Sequence, residues 1–270
     1  MNEKREKQLA YSERQALMLD ESSRRAKAGK IASVLEHFLG RSSLSGLTLL
    51  DIGCSGGIVA NELHKRGASV IGVDIDIPGL TRARARYGDT VSFLCTDGER
   101  LPVASGSVDV VVLNHIYEHV VDPWTLAAEV ARVLAPHGAA YLGLGNRLGV
   151  IEPHYRLPFL SWLPRPLAHR YVRASGRADS YYERFLTRPS LRRLFGALDV
   201  WDYTLPVLAE PKRFGASDAV PGPVSRLPAA ALRAMVPLVP IYIWIGTRGG
   251  LEPLGSPVAI PPVHLPRPSG

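Results

Sequence analysis

The chain has 270 residues, 46% of them apolar, and carries 32 Lys and Arg against 25 Asp and Glu, a net charge of +7. That length can bury one large α/β domain, or a domain with a small annex. The polar opening MNEKREKQLAYSERQALMLDESSRRAKAGK lacks the apolar core of a secretory signal, and the two cysteines, Cys54 and Cys95, have no metal-ligand spacing; a reducing, cytoplasmic setting without zinc is expected.

Residues 5–39 are predicted to form a helix, with Ile31, Val34, Leu35 and Phe38 as the apolar stripe of its latter part. Residues 47–76, LTLLDIGCSGGIVANELHKRGASVIGVDID, then give a strand, a glycine turn, a helix and a second strand ending in an acid. A dinucleotide pyrophosphate fits this turn badly. Counted from Gly53, the second and third glycines of G-x-G-x-x-G fall on Ser55 and Ile58, and Asp51 directs a carboxylate at the turn. A cationic nucleoside without phosphate suits it better.

VSFLCTDGERLPVASGSVDVVVLNHIYEHV supplies a third strand ending at Asp97 and a fourth, VDVVVLN, whose nearly continuous apolar run suits a strand buried on both faces. In DPWTLAAEVARVLAPHGAAYLGLGN, Asp122 is the expected cap, Pro123 the first helical residue, and Leu126, Val130, Val133 and Leu134 one apolar face, followed by a fifth strand.

The motifs LLDIGCSGG and VIGVDID resemble the first and second motifs of the class I S-adenosylmethionine-dependent methyltransferases, and the likeness runs over roughly residues 45–147. Ser55 departs from it, standing where the family has its middle glycine; if the backbone there needs a positive φ, the loop carries strain. The resemblance implies a Rossmann-like, seven-stranded, mostly parallel sheet with helices on both faces, an antiparallel last strand and an inserted substrate cover. It implies S-adenosylmethionine as cofactor, held by Asp51, Gly53, Cys54, Ser55, Gly57, Asp74, Ile75, Asp97, Gly98 and Asn114. Asp74 would take the ribose hydroxyls and Asp97 the adenine amino group.

The chain changes character near residue 150. Residues 151–270 hold 15 Lys and Arg against 8 acids and 18 of the 22 prolines, whereas residues 1–150 are balanced at 17 against 17. The expected organisation is an N-terminal helical segment, 1–44, a cofactor core, 45–150, a cover with closing strands, 151–248, and a loosely ordered tail, 249–270. Residues 152–193 combine nine arginines and three acids with His154, Tyr155, Trp162, Tyr171, Tyr181 and Tyr182. Such a mixture suits a sugar, phosphate or lipid headgroup. Tyr155, Arg156 and Trp162 are the expected acceptor-binding residues, and EPHYRLPFLSWLP more weakly resembles bacterial envelope-glycan methyltransferases. LDVWDYTLPVL is the candidate sixth strand and IYIWIGTR the closing strand beside it. LPAAALRAMVPLVP, broken by prolines, is expected to stay out of the membrane but to offer an apolar surface for peripheral contact.

The fourth strand ends in NHIYEH, without the NPPY-like tetrad of exocyclic-amine methyltransferases or a cysteine nucleophile, which favours O-methylation of a small-molecule, sugar or lipid-linked hydroxyl. His154 is the first candidate for the base and His119 the second, with Glu118 and Tyr155 behind them. A nucleic-acid methyltransferase, a nicotinamide-dependent oxidoreductase and a non-catalytic S-adenosylmethionine-binding protein stay open as alternatives.

Overall fold

The computed structural model describes residues 8–14 and 20–268. Residues 5–7 and 15–19 of the expected N-terminal helix lie outside them. Within them the helix runs from Glu21 to Leu39, capped by Asp20, whose carboxylate accepts from the Ser22 and Ser23 amides, and closed by Gly40 at φ 64°. Its stripe of Ile31, Val34, Leu35 and Phe38 is buried as the pattern predicts. A separate short helix, Tyr11–Arg14, precedes it.

Eight strands form one sheet in the order β3-β2-β1-β4-β5-β7-β6-β8. β1 (Thr48–Ile52), β2 (Ser69–Asp74), β3 (Ser92–Cys95), β4 (Val108–Asn114) and β5 (Leu134–Gly145) pair in parallel. β7 (Ile241–Thr247) inserts antiparallel between β5 and β6 (Asp199–Asp202), which is the closing arrangement expected of IYIWIGTR. Alternation along β4 divides the core: Val111 and Leu113 join the apolar cluster that holds Trp244 and Tyr117, while Val110 and Val112 join the one that holds Phe38 and Tyr203. With both faces covered, the strand carries polar residues only near its ends: Asp109, whose carboxylate accepts from the Thr48 amide, and Asn114.

Three expectations change. Among the described residues the sheet has eight strands rather than seven. The eighth, β8 (Val263–Leu265), lies in the stretch expected to be loose and pairs antiparallel with β6. LDVWDYTLPVL is a strand only to Asp202, because the Asp202 carboxylate accepts from the Thr204 amide and Thr204–Ala209 turns into a helix. β3 ends at Cys95, so Asp97 sits in the loop that follows.

Candidate active site

The C-terminal ends of β1 and β4 open onto one pocket, lined by Arg24, Asp51, Ile52, Gly53, Cys54, Ser55, Gly56, Ile58, Val59 and Asn114; Asp74, at the end of β2, is not in its lining. The turn after β1 is built for close approach. Gly53 has φ 79°, a conformation strained for any other residue, and a Cβ there would force the Ile116 side chain to move. Ser55 does adopt a positive φ, 44°, the strain that its departure from glycine implies. Gly57, at φ 73°, starts the helix Ile58–Lys65.

Asp51 is 4% exposed, and its Oδ2 has no hydrogen-bond partner among the described residues. Burial, with the charge of Asp74 behind it, pushes its pKa up to about 7, against the opposing field of Arg24. A carboxyl group in that condition favours an arriving cation. Asp74 ends β2 and binds the turn across the pocket's edge: its Oδ2 accepts from the Ser55 amide at 2.7 Å and its Oδ1 from the Asp76 amide at 2.8 Å. Each oxygen has a second lone pair for a ligand hydroxyl. Ile75 follows, half-buried. Asp97 accepts from the Glu99 amide at 3.0 Å, and Gly98 lies against Leu126 and Ile52. Cys54 is buried in the pocket wall and burial raises its pKa well above the usual thiol range, so it lines rather than reacts. An unpartnered acid, a glycine cradle and a strand-end carboxylate thus fit a cofactor with an ammonium group and a ribose.

Immediately beyond Asn114 the chain makes a cluster. His115 sits at φ 59°, its amide bonded to the Gly143 carbonyl, and its Nδ1 lies 3.2 Å from Glu118 Oε1. Burial lowers the His115 pKa despite the Glu118 hydrogen bond and charge, so the ring is neutral at neutral pH. A proton on Nδ1, shared with the carboxylate, leaves Nε2 as a bare acceptor. His119 Nε2 lies 3.0 Å from His154 Nε2, and His154 Nδ1 lies 3.0 Å from Glu152 Oε1. For His154 burial acts downward, but the Glu152 hydrogen bond and the charges of Glu183, Glu152 and Glu118 outweigh it and raise the pKa to about 9. Both sequence-derived base candidates are thereby brought together, with both ring nitrogens of His154 engaged.

The remaining expected residues divide. Tyr155 is buried, with its hydroxyl donating to Glu183 Oε1 at 3.4 Å and its ring against Tyr181. Arg156 is exposed at φ 52°. Trp162 lies outward, its ring against Phe159 and its Nε1 donating to the Gly149 carbonyl at 3.1 Å. Glu152 and Glu183, both buried, were not singled out from the sequence, nor was the N-terminal segment: Gln8 donates to the His119 carbonyl, the Tyr11 ring packs on the His119 ring, and the Ser12 amide donates to Asp76 Oδ2.

The family described as "Methyltransferase domain" matches residues 50–142. Over 113 residues the chain is 38% identical to an uncharacterized methyltransferase of Mycobacterium ulcerans, covering 42% of this chain and 44% of that protein. Over 148 residues it is 33% identical to a ubiquinone biosynthesis O-methyltransferase of Sinorhizobium medicae, covering 51% and 59%. The chain thus spans about half the length of the curated relatives it matches. Among solved structures, an S-adenosylmethionine-dependent methyltransferase of Mesorhizobium loti superposes with TM-score 0.51 at 18% identity over 76% of this chain and 92% of that one. A geranyl diphosphate C-methyltransferase of Streptomyces coelicolor, in complex with Mg2+, geranyl diphosphate and S-adenosyl-L-homocysteine, gives 0.50 at 17% over 83% and 81%. These two share the fold.

Proposed function

We propose, from the premise that the chain belongs to the class I S-adenosylmethionine-dependent methyltransferases, that it methylates a hydroxyl oxygen of a small-molecule, sugar or lipid-linked glycan acceptor. S-adenosylmethionine supplies, when bound, an electrophilic methyl group on a sulfonium. Asp74 would hold its ribose, Asp51 its ammonium side, and Gly53 would admit the close backbone approach. Asp97 and Gly98 are assigned to the adenine side.

The observation that carries the reading is the His115–Glu118 pair, one residue past the pocket-lining Asn114. Oxygen methylation needs the acceptor's proton removed as the methyl group moves. Glu118 fixes the His115 tautomer and orientation, and His115 Nε2 takes the proton, as in any base held by an orienting carboxylate. Some relatives are ubiquinone biosynthesis O-methyltransferases, which supports oxygen as the nucleophile. Exposed Leu227, Met235 and Leu238, beside the helix Ala229–Met235, support an acceptor that is presented at a lipid surface.

The test is to incubate the protein with S-adenosylmethionine and envelope glycans or metabolites from a deletion strain, and to look for products heavier by one CH2. His115→Ala is expected to lower turnover by roughly 10²–10⁴-fold with cofactor affinity unchanged. If His115→Ala keeps full turnover while His154→Ala abolishes it, the base is in the cover, as first expected from the sequence.

A further inference from the structure

His119 comes from the loop after β4, and His154 and Glu183 from the cover. His119 Nε2 and His154 Nε2 face each other at 3.0 Å, and one donor atom from each of His119, His154 and Glu183 falls within 4.8 Å of the others. We propose that these three residues bind one divalent first-row transition-metal ion. This goes beyond methyl transfer and does not depend on it.

Four observations converge. First, the Glu152 carboxylate accepts from the His154 Nδ1 side at 3.0 Å and also from the His154 and Tyr155 amides at 2.9 and 2.6 Å. A carboxylate held so firmly behind one ring nitrogen dedicates the other, Nε2, to a ligand position, the pattern of metal-binding histidines. Second, Glu183 is itself oriented by the Tyr155 hydroxyl at 3.4 Å and the Tyr182 amide at 3.2 Å. Third, Glu118 Oε2 is fully buried without a hydrogen-bond partner among the described residues, while Oε1 of the same carboxylate lies 3.8 Å from His154 Nε2. A buried carboxylate oxygen is costly unless something positive faces it. Fourth, two nitrogens 3.0 Å apart, each at the usual 2.0–2.1 Å from one zinc-like ion, subtend about 94° at it.

That angle suits adjacent positions of a five- or six-coordinate ion. Two imidazoles with one carboxylate and no thiolate select manganese, iron, cobalt or zinc over calcium and magnesium, which prefer all-oxygen sites. Three ligands leave positions open for further oxygen donors.

The experiment uses the full chain, stripped with chelator, dialysed and titrated with Co2+ alone. The expected result is one saturable equivalent with the visible bands of a nitrogen and oxygen site, and without the near-ultraviolet charge-transfer band that Cys54 or Cys95 would give. His154→Ala and His119→Ala should lose the bands. Glu152→Gln should keep the stoichiometry and weaken binding about 10–100-fold, as loss of an orienting partner does. Asp74→Ala should bind Co2+ like the parent while losing S-adenosylmethionine, so failure of the metal site and failure of the methyltransferase reading separate. Circular dichroism checks folding; should His154→Ala unfold, the half-buried His119 variant decides. No saturable binding by the folded parent, or unchanged bands in the His119 variant, overturns the site.

Discussion

Asp51, one residue before the end of β1, has an oxygen without a partner among the described residues and a pKa raised from the ordinary 3.8 to about 7. The folded chain therefore holds a proton that the unfolded chain releases, so this group favours folding at low pH and that contribution is lost as pH rises from about 4 through about 7. A cationic ligand reverses the balance, because it needs the ionised form. Cofactor affinity should rise with pH, by up to about tenfold per unit below 7, and level off above it. Asp51→Asn should flatten that profile in calorimetry from pH 5.5 to 8.5; an unchanged slope would assign the titration elsewhere. Asp51, Gly53 and Asp74 are legible in the sequence because they lie in one strand–turn–helix–strand unit whose spacing is local. Glu152, Glu183 and the metal-like grouping are not. His119 and Glu183 lie 64 residues apart, and only the folding of the cover brings them together.

Among the elements, Tyr117 joins three. It is 2% exposed, donates to the Gly145 carbonyl at the end of β5 at 2.6 Å, and accepts from the Leu186 amide of the cover at 3.0 Å. Tyr117→Phe keeps the ring and strands both partners, which should cost about 1–3 kcal/mol in denaturant unfolding and loosen the cover against β4. Reading elements from pattern succeeded where a single local rule governed. β4 is a buried apolar run, and the helix Pro123–Val133 has its cap at Asp122, its proline at the first position and its apolar face as expected. It failed where a polar side chain redirected the backbone, as Asp202 does after β6. It also failed where three residues among prolines found a partner far away: β8 has no periodicity of its own and is a strand only because β6 offers an edge.

At the scale of the molecule, the C-terminal stretch completes both the sheet and the packing around the N-terminal helix. Beyond the β6–β8 pairing, His264 packs on Trp201, the Leu254 amide donates to the Phe38 carbonyl, and Arg213 donates to the Pro257 carbonyl. Truncation after Gly250 should lower the melting temperature and bare the β6 edge, with concentration-dependent association visible in light scattering; a monomer of unchanged stability would make the stretch dispensable. The segment at the other end of the chain has a different kind of effect. Through Ser12 it is tied to Asp76, two residues past Asp74, and through Gln8 and Tyr11 to His119. Under the proposed function, a segment tied at both points would slow exchange of the bound cofactor. Tyr11→Ala should speed dissociation of S-adenosylhomocysteine in stopped-flow more than it changes the single-turnover rate; an unchanged dissociation rate would deny the segment that role.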